Sequence, residues 1–143
     1  MKKFLFLAAA MLLTTAAIAE TMPANDARVT YVGRTLVEGT DVSFDWTATY
    51  FRIAFSGKSL TMKASETKWD VDAEKAAIRH NYYNVWIDSP TSAEPHRIIE
   101  VVGTDTVIEL IDPAYLKKSR CAVHEVIVQK RTEGEQGKTT IHE

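Results

Sequence analysis

The chain has 143 residues, 17 of them Lys or Arg and 19 Asp or Glu, and a single cysteine. The mildly acidic balance argues against nucleic acid or an anionic lipid surface as partner. Cys121 alone excludes an internal disulfide and a cysteine-rich zinc site.

Met1-Lys2-Lys3 is a short basic start, Phe4 to Leu13 is an unbroken apolar run, and Ala17-Ile18-Ala19 has the small-x-small spacing that signal peptidase cuts. The run falls short of the roughly 20 residues that span a bilayer. Residues 1–19 are therefore read as a signal peptide and 20–143 as one domain, secreted or periplasmic and not held in the membrane. No cysteine stands at the cleavage site, so no lipid anchor is expected. Without Lys2 and Lys3, 15 basic residues face 19 acidic ones, a net charge of −4.

From Val29 onward apolar residues alternate in short runs, the pattern of half-buried strands. Val42, Phe44 and Trp46 form one set, Phe51, Ile53 and Phe55 a second, and Leu60 and Met62 begin a third after the Ser56-Gly57-Lys58-Ser59 turn. Glu66 to His80 breaks the rhythm, and Asp72-Ala73-Glu74-Lys75-Ala76-Ala77-Ile78 within it favours a short helical excursion. Tyr83, Val85 and Ile87 then alternate against Tyr82, Asn84 and Trp86. Ile98 to Val102 and Thr106 to Ile111 are β-branched runs, Pro113 to Ser119 reads as a helical turn with Pro at its first position, and Val123 to Val128 is a further strand. After Gly134 to Gly137 turn the chain, Thr139-Thr140-Ile141 begins a return strand. Seven or eight strands separated by turns at about ten-residue intervals make an all-β, antiparallel sandwich or barrel.

Motifs for chemistry fail on spacing. Gly57-Lys58-Ser59 would end a phosphate-binding loop only if Arg52 were glycine, and it joins two strands. Asp70, Asp72 and Glu74 alternate as in a calcium loop but lack its glycine and its distant glutamate. His80, His96, His124 and His142 are too far apart in sequence to pair as ligands, and His124, alternating with Val126 and Val128, reads as a packed strand residue. No serine sits in a Gly-x-Ser-x-Gly or Gly-Asp-Ser block. No catalytic residue, metal or cofactor is therefore assigned. Aromatics are the better lead. Trp86 and Tyr82 share a strand face that points outward if Tyr83, Val85 and Ile87 fill the core. With Trp69 they form a candidate carbohydrate-binding platform; the competing reading packs these rings into the core or a domain interface.

Val32-Gly33-Arg34, Phe44-Asp45-Trp46 and Phe51-Arg52-Ile53-Ala54-Phe55-Ser56-Gly57-Lys58-Ser59-Leu60 resemble the opening of the N-terminal β-sandwich domain of family 2 carbohydrate esterases, the acetylxylan-esterase type. Asn81-Tyr82-Tyr83-Asn84-Val85-Trp86-Ile87-Asp88 resembles its middle strand. His124-x-Val126-x-Val128-x-Lys130-Arg131-Thr132-Glu133 with Gly137 is similar to its penultimate strand and turn. The resemblance implies a jelly-roll-like β-sandwich that precedes an SGNH hydrolase domain, whose serine and histidine remove acetyl groups from polysaccharides of the xylan or mannan type. It leaves no catalytic residue to assign in this chain. It also implies that the strand beginning at Thr139 is cut short, leaving its neighbour in the sheet unpaired. The expected function is a non-catalytic accessory domain that packs against such a hydrolase and frames its substrate cleft. A stand-alone carbohydrate-binding module and an envelope protein-interaction domain are the alternatives.

Overall fold

Strand β9 (His124–Lys130) shows in one element why the chain folds as it does. His124, Val126, Val128 and Lys130 are buried and the residues between them are not, so a two-residue period turns the whole set to one face. The computed structural model describes residues 20–68 and 79–143. Within them the other strands are β1 (Thr30–Val32), β2 (Leu36–Glu38), β3 (Asp41–Phe44), β4 (Tyr50–Phe55), β5 (Thr61–Thr67), β6 (Asn81–Ile87), β7 (Arg97–Val101), β8 (Thr106–Glu109) and β10 (Lys138–Ile141); the same alternation is plain in β4 and β5. A helix, α1 (Pro113–Lys118), lies between β8 and β9.

Two five-stranded antiparallel sheets result, in the orders β1-β4-β9-β6-β7 and β2-β3-β10-β5-β8. They stack as an all-β sandwich, the class expected. The core between them joins Phe51, Ile53, Tyr83, Val85, Val126 and Val128 of the first sheet to Val42, Phe44, Met62, Ala64 and Ile141 of the second. Phe44 and Tyr83 meet edge to face across the layers, their ring centroids 6.1 Å apart. Ten strands are present among the described residues where seven or eight were expected. Part of the difference is β2, whose three residues are all exposed and so carry no alternation to read.

One strand ends earlier than its β-branched run suggests, and the helical turn expected after it is present. The run from Thr106 stays in the sheet only to Glu109; Leu110 and Ile111 leave it and are buried in the core. Asp112 then caps α1 by accepting the Ala114 N–H at 2.7 Å, Pro113 fills the first turn, and Lys117 and Lys118 occupy the last. Of the Glu66 to His80 segment, Glu66 and Thr67 extend β5, and the helical excursion expected at 72–78 lies outside the described residues.

The edge expected to be open near the C-terminus is closed. β10 is the middle strand of its sheet, paired with β3 from Thr139↔Phe44 to Ile141↔Val42 and with β5 from Lys138↔Thr67 to Ile141↔Ala64. His142 N–H donates to the Lys63 carbonyl at 2.9 Å, and Lys63 N–H to the Glu143 carbonyl at 2.7 Å, so pairing continues past the strand. Before β10, Gly137 stands at φ +114°, and a Cβ there would lie 2.4 Å from the Thr67 carbonyl oxygen. Only glycine lets the chain enter the sheet at that angle.

Lys130 ends the inward face of β9 at 1% exposure, its Nζ donating to the carbonyls of Thr132 and Glu133 at 3.1 Å each. Burial lowers its pKa from 10.5 to about 8, a fall that Asp45, Glu133 and Glu66 partly offset.

Two outcomes follow for stability. Gly137→Ala combines a disfavoured φ with a backbone clash and should cost about 2 kcal/mol or more in a denaturant melt; an unchanged midpoint would mean that β10 enters by another path. Between pH 8 and 10 the unfolded chain holds the Lys130 proton more tightly than the folded one, so stability should rise with pH through that window. Lys130→Met should flatten the rise. Above pH 10 the sign reverses, because burial raises the hydroxyl pKa of Tyr31 and Tyr83 and the folded state keeps those protons longer.

Candidate functional site

Three surfaces carry the side chains to weigh. On β6 the alternation holds: Tyr83, Val85 and Ile87 point into the core, and Tyr82, Asn84 and Trp86 point away from it. Yet Trp86 is only 3% exposed. The connection from β6 to β7 turns back so that the Ala93 carbonyl accepts the indole N–H at 2.8 Å. Tyr82 stays at the surface, 36% exposed, its hydroxyl donating to Glu100 at 2.8 Å; that bond raises its pKa. Trp86 and Tyr82 thus do not form a common open platform, because a loop covers the first ring. Trp69 lies outside the described residues.

The two ends of the core hold buried polar groups. At one end His124, 3% exposed, bonds through Nδ1 to Asp88 Oδ2 at 2.6 Å, while Asp88 Oδ1 accepts the Glu125 N–H at 2.9 Å. Asp88 adopts φ +51° to reach both. The Tyr115 ring lies between His124 and His96, with centroids 6.2 and 4.9 Å away. Burial lowers the pKa of His96, whose Nε2 has no hydrogen-bond partner. At the other end Glu66 Oε1 accepts the backbone and side-chain N–H groups of Asn81 at 2.9 and 3.1 Å, and Asn81 Oδ1 accepts the Thr132 hydroxyl at 3.1 Å. Apart from His96 Nε2, the groups named here have structural partners, and these bonds lock the sandwich ends. Among the described residues, no three His, Cys, Asp or Glu side chains converge as a metal site.

The outer face of the second sheet brings together residues that sequence reading had left apart. His142 Nδ1 is 3.0 Å from Asp41 Oδ2, and His142 Nε2 is 2.8 Å from Ser65 Oγ. This is the hydrogen-bond order of an Asp-His-Ser relay, assembled by the pairing of β3, β10 and β5. Ser65, however, sits in the middle of a paired strand, not at a sharp turn. The Asp105 N–H donates to the serine hydroxyl itself at 2.9 Å, not to a point where an acyl oxygen would stand. The cluster could polarise a hydroxyl, but it offers no oxyanion site.

The third surface is built from two loops. Trp46 was grouped with Val42 and Phe44, yet β3 ends at Phe44 and Trp46 stands 55% exposed. Its loop is anchored throughout. Ala48 N–H donates to the Lys130 carbonyl at 2.9 Å, and the Thr47 hydroxyl reaches the Thr132 carbonyl at 2.9 Å and Glu133 Oε2 at 3.0 Å. Opposite, Gly33 at φ +119° packs so closely on Thr49 that a Cβ would lie 2.7 Å from its hydroxyl. The Arg34 guanidinium therefore lies over the indole, 4.8 Å from its centre. Between the loops is an open hollow of about 340 Å³, lined by Val32, Arg34, Trp46, Thr47 and Thr49 among others.

The chain was compared with known proteins. The family model Carbohydrate esterase 2 N-terminal matches residues 31–143. A search of curated proteins finds no match. Among solved structures the chain is similar to a family two carbohydrate esterase from Cellvibrio japonicus, with a TM-score of 0.64 and 18% identity over 85% of this chain and 31% of that one. A family two carbohydrate esterase from Clostridium thermocellum in complex with cellohexaose gives a TM-score of 0.59 and 16% identity, over 79% of this chain and 29% of that one. At such identities the likeness establishes the fold, and the chain spans only about three-tenths of these structures. The family model covers most of the sequence, and on that ground the chain belongs to the N-terminal domain family of the family 2 carbohydrate esterases.

Proposed function

We propose that this domain is a non-catalytic accessory module of a polysaccharide acetyl esterase, exported after cleavage near Ala19, that packs against an SGNH hydrolase domain and frames its substrate cleft. The observation that carries this reading is the family match over residues 31–143, set beside esterases of which the domain spans about three-tenths. The sandwich supports it in a second way: in the Ser65, His142 and Asp41 cluster the serine lies within a paired strand and its hydroxyl already accepts the Asp105 N–H. Acetylated glycans of the xylan or mannan type are the substrates this reading gives the assembly. A carbohydrate-binding role is the second reading, favoured by the exposure of Trp46.

The test joins or mixes the domain with a family 2 hydrolase domain. Acetate release from acetylated xylan should rise several-fold over the hydrolase domain alone, and the melting temperature of the hydrolase should increase. The purified chain by itself should release no acetate from 4-nitrophenyl acetate, and Ser65→Ala should change nothing. Turnover by the isolated chain that disappears in Ser65→Ala would instead make the outer-face relay an active site.

A further inference from the structure

We propose that the hollow between the β1–β2 turn and the β3–β4 loop is a carbohydrate subsite. In it a pyranose ring stacks on Trp46, and Arg34 donates hydrogen bonds to the sugar's oxygens. This gives the glycan-binding reading above a place on the molecule, one whose described lining does not include Trp86 or Tyr82.

The position of the tryptophan is the first argument. A large apolar ring left 55% exposed forgoes burial that other aromatics of this sandwich obtain, and here it does so on a loop fixed by hydrogen bonds of Thr47, Ala48 and Thr49 to Lys130, Thr132 and Glu133. Its exposure is built in, and the ring is held ready for a partner at low entropic cost. The backbone supports this: Ala48 adopts φ +66°, a conformation disfavoured for a residue with a Cβ and held in place by its bond to Lys130.

The chemistry of the hollow selects the ligand class. Arg34 lies over the indole, 4.8 Å from its centre, and so takes one face; the rest of the exposed, electron-rich ring is offered to the C–H groups of a sugar, whose hydroxyl or carboxylate oxygens meet the guanidinium N–H groups at the indole's edge. A shallow, open hollow suits one or two units of a polymer that continues beyond it in both directions. Arg34 is positioned by Gly33, the one residue type that tolerates both its φ and its contact with Thr49. The Arg34 and Trp46 pair is thereby preformed.

Affinity electrophoresis of the full chain through gels containing soluble glucuronoxylan or neutral glucomannan tests the proposal. Wild type should be retarded in at least one gel. Trp46→Ala should weaken retardation about tenfold, Trp46→Phe should keep part of it, and Tyr82→Ala should leave it intact. Thermal melts of each variant establish that the fold survives. If Arg34 meets a uronate carboxylate, Arg34→Gln will abolish retardation by glucuronoxylan and spare glucomannan; if it meets hydroxyls, both weaken, and either result supports the subsite. Retardation undiminished in a folded Trp46→Ala overturns the location. No retardation in either gel overturns glycan binding here, as does Trp46-dependent capture by the hydrolase domain without glycan retardation. The gain in acetate release described above is measured separately, so the accessory role can stand if the subsite falls.

Discussion

The inward face of β9 is the constraint on which the rest of the molecule depends. Val126 and Val128 are fully enclosed, and the same two-residue period that buries them also carries His124 and Lys130 inward at the two ends. A strand cannot turn one residue out without turning all of them. The fold therefore surrounds an imidazole and an ammonium with acceptors: Asp88 at one end, the carbonyls of Thr132 and Glu133 at the other. The Lys130 loop in turn anchors Thr47 and Ala48, so the exposed Trp46 is held in place by the charge that the core could not exclude.

Both ends of β9 thus hold a buried polar group, but what surrounds them differs. The Lys130 end is polar inside and presents an indole and a guanidinium to solvent. At the other end of β10, between the sheets, an apolar cavity of about 150 Å³ is lined by Met22, Tyr31, Phe51, Ile53, Met62 and Ile141, among others. The N-terminal segment lies along it, with the Ala24 N–H donating to the His142 carbonyl and the Tyr31 hydroxyl to the Ala24 carbonyl. The exposed Trp46 and Arg34 pair and the apolar cavity beside the N-terminal segment are thus built from different residues of the sandwich.

Much of this was legible in the sequence wherever a local period decides the outcome. Phe51, Ile53, Tyr83, Val85 and Ile87 face the core as their alternation requires, and Asp112-Pro113 starts a helix because a side-chain cap and a fixed φ are properties of two neighbouring residues. Alternation says which way a side chain points but not what covers it, so Trp86 was correctly turned from the core and yet lies under a loop. It also does not say where a strand stops, which hid Trp46. Pairing across long separations was not legible at all. The relay of Asp41, Ser65 and His142 joins residues 77 and 101 positions apart, and it exists only because β10 inserts between β3 and β5.

That insertion has a consequence for how the protein comes into being. Until Lys138–Ile141 emerges from the ribosome, β3 and β5 have no common neighbour, and the second layer consists of two separate strand pairs. Every earlier part of the chain can be synthesised without the sandwich being able to close. Folding of this domain is thereby deferred until its β10 has been made, and the nascent chain must keep its apolar segments from associating with other molecules in the meantime.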